Sequence, residues 1–199
     1  MVKKLVLLAV LALALPMAAF ASSQIDFTNS GGTLSGSNSG LSLGGSALIA
    51  VNGLNGGGLI TGSNLGSVSF STGALTSGDL MNGGTFAAGG SFTISGNGTN
   101  GVPNGVIFSG SFSGPVTWSL VTLANGTHNY TLSGAIVGSN AVGATVQLTV
   151  NTGKGYFSGS VGISSGDTNL TVPEPGTLSL LGTGLIGLAG VIRRKLSLS

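Results

Sequence analysis

The chain has 199 residues; 41% are hydrophobic but only 5% are charged, the formal net charge is +2 and there is no cysteine. High hydrophobic content with so little net charge argues against intrinsic disorder. The absence of cysteine removes disulfide stapling, so burial and backbone hydrogen bonding must hold the fold.

Met1 to Ala21 reads as a secretory signal peptide. Lys3 and Lys4 form its positive region, Leu5 to Leu15 its apolar region, and Ala19-Phe20-Ala21 a small-x-small cleavage site. Residues 1–21 are thus expected to be helical and to be removed after Ala21, with the secretion translocon and signal peptidase as partners. A retained anchor is the alternative, but the apolar stretch is short for a span and Pro16 ends it.

Five of the six basic residues lie in the two end segments, at Lys3, Lys4, Arg193, Arg194 and Lys195. Between Ser22 and Val172 one lysine, Lys154, stands against Asp26, Asp79 and Asp167, a net charge of −2. The basic balance of the whole chain therefore belongs to its ends and does not point to nucleic acid, which needs a clustered basic surface. The remaining domain, 22–171, is long enough for one hydrophobic core.

Residues 22–66 show little regularity and read as short strands and long turns. From Ser67 onward the pattern sharpens. Val68/Phe70, Phe92/Ile94, Val116/Trp118/Leu120, Tyr130/Leu132 and Val146/Leu148/Val150 each alternate with small or polar residues. Period two marks strands with one buried face. Asn-Gly pairs begin at 52, 55, 82, 97, 100, 104 and 125 and supply the positive φ that tight turns need. The strongest hairpin joins Val116–Leu123 to Tyr130–Val137 through Asn125-Gly126-Thr127-His128. The echoes Leu34-Ser-Gly-Ser, Phe108-Ser-Gly-Ser, Leu132-Ser-Gly-Ala and Phe157-Ser-Gly-Ser suit repeated two-strand units or solenoid coils. The expected fold is all-β, an antiparallel β-sandwich with a β-solenoid as the alternative, flanked by a signal-peptide helix and a C-terminal transmembrane helix.

Candidate chemistry in the domain is sparse. His128 is the single histidine, and its place in the expected turn suggests an exposed polar residue rather than a member of a triad. Asp79 and Asp167 each follow Ser-Gly, which reads as turn chemistry, and the three aspartates are far apart in sequence. One histidine and no cysteine make a zinc site unsupported, and lone aspartates do not build a calcium loop. No catalytic residue, cofactor site or metal site is therefore assigned. Trp118, Tyr130 and Tyr156 could stack on sugar rings, although the alternation around Trp118 places it in the core.

Val172 to Ser199 has three pieces in fixed order. Pro173-Glu174-Pro175 breaks helix and stays extended. Thr177 to Ile192 carries no charge, and 16 helical residues reach about 24 Å against the roughly 30 Å of a bilayer core. Arg193, Arg194 and Lys195 would stop transfer and stay on the cytoplasmic side. A buried core helix is the alternative, and Gly182, Gly184, Gly187 and Gly190 speak against it.

This order resembles the PEP-CTERM sorting signal of Gram-negative surface proteins, a C-terminal domain also labelled as that of ice-binding proteins. The resemblance implies that an integral-membrane cysteine protease, exosortase, recognises Pro173, Glu174 and Pro175, with Arg193 and Arg194 completing the signal. It implies a precursor anchored for a time in the inner membrane through 177–192, then delivery to the surface or outside. The expected role is structural or adhesive, with exopolysaccharide as the partner and no enzymatic activity. The alternatives are an ice-binding protein, against which the absence of any Thr-x-Thr speaks, and a glycan hydrolase, which would need two aspartates brought together.

Overall fold

The computed structural model describes residues 23–139 and 143–172. The signal-peptide helix with Ala19 and Ala21, the motif of Pro173, Glu174 and Pro175, the expected helix 177–192 and the basic residues Arg193, Arg194 and Lys195 lie outside the described residues. Gln24–Val172 forms a compact unit of its own.

Thirteen strands run through this unit. They are β1 (Ser23–Ser30), β2 (Thr33–Ser37), β3 (Gly40–Asn52), β4 (Ile60–Ser71), β5 (Leu75–Asp79), β6 (Gly83–Phe86), β7 (Gly89–Asn97), β8 (Asn104–Phe112), β9 (Val116–Thr122), β10 (His128–Gly138), β11 (Gly143–Asn151), β12 (Ser160–Gly162) and β13 (Ser165–Val172). The described residues contain no α-helix, only a 3-10 turn at Leu54–Gly56. The all-β expectation holds, and so does the Asn125-Gly126 hairpin, in which β9 pairs with β10 from Thr122↔His128 to Thr117↔Ser133.

The sheet does not split into a sandwich. Eight strands, β1-β3-β4-β7-β8-β10-β11-β13, return to β1 as a closed antiparallel barrel. Two long strands explain the closure. β3 pairs with β2 along its first half and with β1 along its second, on the same edge. β10 likewise pairs with β9 and then with β8. Each change of partner opens a branch, and register shifts in β1–β3, β3–β4 and β7–β8 bend the strands further. Bulges of this kind increase twist and coil, which lets one sheet curl onto itself. The solenoid alternative also fails, because its coils stack in parallel. The Ser-Gly echoes follow Leu34, Phe108, Leu132 and Phe157, which are all buried. They mark core anchors followed by small residues rather than equivalent coils.

Alternation sorts the side chains as the sequence indicates. Val68, Phe70, Phe92, Ile94, Leu132 and Leu148 are buried inside. Ser69, Ser133, Thr145 and Gln147 lie exposed on the outside. This is the reverse of a membrane-spanning barrel, whose outer band is apolar. No helix among the described residues is long and apolar enough to cross a membrane. Phe70, Phe92, Phe108 and Phe112 fill the barrel, with Phe70 and Phe92 stacked at 6.0 Å and Phe112 edge-on to Phe70 at 5.8 Å. Each such ring contributes about 1.5–3 kcal/mol on burial. Gly134 faces inward beneath Phe112, where a Cβ would come within 2.8 Å of the ring.

The two ends of the barrel differ. At the exit end β1 begins and β13 finishes, beside the loops 53–59 and 98–103. At the other, capped end, the β5–β6 hairpin, β9, and the β2–β12 pair extend the wall and close over a second aromatic cluster. Trp118 stacks on Tyr130 at 4.8 Å, and Phe157 meets Trp118 edge-on at 5.4 Å.

Candidate functional site

The capped end is built from one turn. Asp79 Oδ1 accepts the backbone N–H groups of Met81 at 2.8 Å and Asn82 at 2.7 Å, and Asn82 Nδ2 donates to Asp79 Oδ2 at 3.0 Å. These bonds hold the Asp79 carboxyl below its ordinary value, the Asn82 side chain contributing most. Asp-x-x-Asn-Gly suits this geometry, since Gly83 takes φ +107°.

The turn aims two carbonyls at the aromatic cluster. Trp118 Nε1–H donates to the Leu80 carbonyl at 3.0 Å, and the Tyr130 hydroxyl donates to the Met81 carbonyl. The same hydroxyl accepts the Phe157 N–H at 3.1 Å. Two buried aromatic side chains thus find partners for their polar atoms and pin the hairpin over the barrel. Elsewhere the cap is tied by Leu75 N–H to the Asn38 carbonyl at 2.9 Å and Gly36 N–H to the Gly159 carbonyl at 2.8 Å.

Between the turn and the segment 157–159 lies an open groove of about 590 Å³, lined by Asn38, Asp79, Met81, Asn82 and Ser158 among others. Next in sequence to Phe157, Tyr156 is 47% exposed and stacks on His128 at 4.2 Å. His128 departs from the sequence expectation. It opens β10 and is only 7% exposed, because Tyr156 covers its ring and its Nδ1 meets the Gly155 carbonyl at 3.1 Å. Trp118 and Tyr130 are buried, as the alternation indicates for Trp118, and have no free face for a sugar ring. Of the three aromatic candidates, Tyr156 alone presents a face to solvent.

The aspartates are also placed differently from expectation. Asp79 ends β5 and caps the turn that follows it, but Asp167 lies within β13 and pairs with Gln147. Asp26 stands on the neighbouring strand β1. Burial raises the Asp26 carboxyl above its ordinary value, and the charge of Asp167 raises it further. One Asp26 carboxylate oxygen is buried with no hydrogen-bond partner in the protein. A shallow groove of about 250 Å³ runs beside Asp167, Asn169, Gln147, Thr145 and Ser133, and Asp26 does not line it. Among the described residues no group of three or more His, Cys, Asp or Glu side chains comes together in a way that could hold a metal ion.

Taken together, the described residues form an antiparallel barrel with an open groove of mixed polar and apolar lining at one end and the chain's exit at the other. Residues 171–195 match the family model of the PEP-CTERM protein-sorting motif. The chain therefore carries a PEP-CTERM protein-sorting motif, which implies export and sorting by exosortase. The motif begins within β13, at Thr171, which pairs with Gly143. Comparison with curated proteins and with solved structures gave no match.

Proposed function

We propose that the barrel is a non-enzymatic, surface-displayed domain that binds a neutral, hydroxyl-rich polysaccharide of the envelope or matrix through its capped end. The observation that carries this reading is the half-exposed Tyr156 ring at the capped end, next in sequence to Phe157 and Ser158, which line the groove together with Asn38, Asp79, Met81 and Asn82. An aromatic face suits the apolar C–H surface of a sugar, and amides and carboxylates suit its hydroxyls. The near-absence of charge on the domain fits an uncharged ligand. Retention on the exopolysaccharide of the producing cell, lost in Tyr156→Ala without a change of fold, tests it. Equal retention of that variant would sink the assignment.

The sorting half of the proposal is that the signal peptide directs export through the translocon, that 177–192 anchors the precursor in the inner membrane, and that exosortase then acts at Pro173, Glu174 and Pro175. Replacing these three by Ala should leave the precursor in the membrane fraction. Normal delivery of that variant would remove exosortase from the account. Of the alternatives, a hydrolase draws on the Asp26–Asp167 neighbours, and Asp26 standing outside the groove counts against it. Ice binding would need a flat rank of threonines, which a curved barrel wall does not favour.

A further inference from the structure

We infer that the exit end of the barrel is a lipid-facing surface that rests on the bilayer while the precursor is anchored. This rests on the reading that 177–192 enters the membrane. Two of the most exposed large hydrophobic residues described, Leu59 at 66% and Val106 at 65%, both lie at this end. Leu59 closes the loop before β4 and Val106 sits near the start of β8. A groove of about 290 Å³ lined by Ile25, Leu54, Pro103, Val106, Ile107 and Leu170 runs there too. The loops 53–59 and 98–103 contain no charged residue, so no ion in them has to leave water on approach to lipid.

The connection supplies the occupant. β13 ends at Val172 and the uncharged segment begins at Thr177. Five residue steps reach at most about 18 Å even when fully extended. Leu170 belongs to the groove, so this face is the one held within that reach of lipid. The lone lysine of the domain, Lys154, and Asp79 lie at the opposite end, whereas Asp26, opposite Asn52, stands on the barrel wall near the exit end.

The cysteine-free chain allows a direct test. Leu59→Cys, Val106→Cys and Asn125→Cys each give the full-length protein one site for an environment-sensitive fluorophore; Asn125 lies in the β9–β10 turn at the capped end. The labelled proteins are reconstituted in vesicles of phosphatidylethanolamine and phosphatidylglycerol containing nitroxide headgroup lipid. The expected result is a blue shift and loss of most emission at positions 59 and 106, with neither at 125. Equal water exposure at all three sites in protein that floats with the vesicles would overturn this inference alone. Failure to float would overturn it together with the anchor. Protection of 59 and 106 that requires co-reconstituted exosortase would reassign the face to a protein partner and overturn the lipid assignment.

Discussion

Tyr130→Phe isolates the contact that closes the capped end. The substitution keeps the ring stacked 4.8 Å from Trp118, so the roughly 0.5–1.5 kcal/mol of the aromatic pair is retained. What it removes is one oxygen with two duties: donating to the Met81 carbonyl and accepting the Phe157 N–H at 3.1 Å. Tyr130 is 0% exposed and Phe157 2% exposed, so water does not readily replace that oxygen. A buried donor left unsatisfied costs about 1–3 kcal/mol. For a domain of this size each kcal/mol lowers Tm by about 2–4 °C, so a fall of roughly 2–12 °C is expected. Thermal unfolding followed by circular dichroism measures it. Trp118, the single tryptophan, reports on the cluster and should keep its native emission below the transition. A Tm within about 1 °C of the parent would refute the claim that this hydroxyl latches the hairpin.

Three further outcomes are expected. Asp26→Asn should stabilise the domain at neutral pH. The fold raises this carboxyl above its ordinary 3.8, so the folded state binds the proton more tightly and stability declines as pH rises through that window; the gain in Tm should fade below pH 3.8, and a loss at pH 7 would contradict the placement. Asp79→Asn should remove a stabilisation of the opposite sign, one present above pH 3.8 and lost as pH falls through the lowered folded value, seen as a flatter Tm-against-pH curve on the acid side. Gly134→Val should cost about 1–3 kcal/mol by driving a side chain into Phe112 and Val116, read as a lower denaturation midpoint.

The runs Val68/Phe70, Phe92/Ile94, Val116/Trp118/Leu120, Tyr130/Leu132 and Val146/Leu148/Val150 were legible because alternation within each is unbroken, whereas β5, β6, β8, β12 and β13 left no such run. Val68/Phe70 and Val146/Leu148/Val150 are buried in step with the pattern. The first third was not legible, although it holds the longest strand, β3 at 13 residues. Its core residues are Leu41 and Leu43, then Leu48, then Val51, and register shifts between Leu43 and Ser46 and between Leu48 and Ala50 reset the phase each time. Those same bulges close the barrel, so the feature that hid the strand also decided between barrel and sandwich. At the site, Tyr156 was legible only as one of three aromatics able to stack on a sugar ring. The Asp79–Asn82 turn could be read as a turn, but its service to Trp118 and Tyr130 spans 38 and 49 residues and leaves no local mark. His128 was misplaced for the same reason, since Tyr156, which covers it, comes from another loop. Asp26 and Asp167 became neighbours only through the pairing of the first and last strands, which no local pattern records.

Ring closure bears on crowding at a cell surface. An open sheet displayed in many copies would offer unpaired backbone to its neighbours and invite polymerisation. Among the described strands, those left pairing on one side only, β5 and β12, span five and three residues. Copies packed shoulder to shoulder in an envelope would therefore have little main chain to zip together, and cohesion between them would fall to whatever ligand they share.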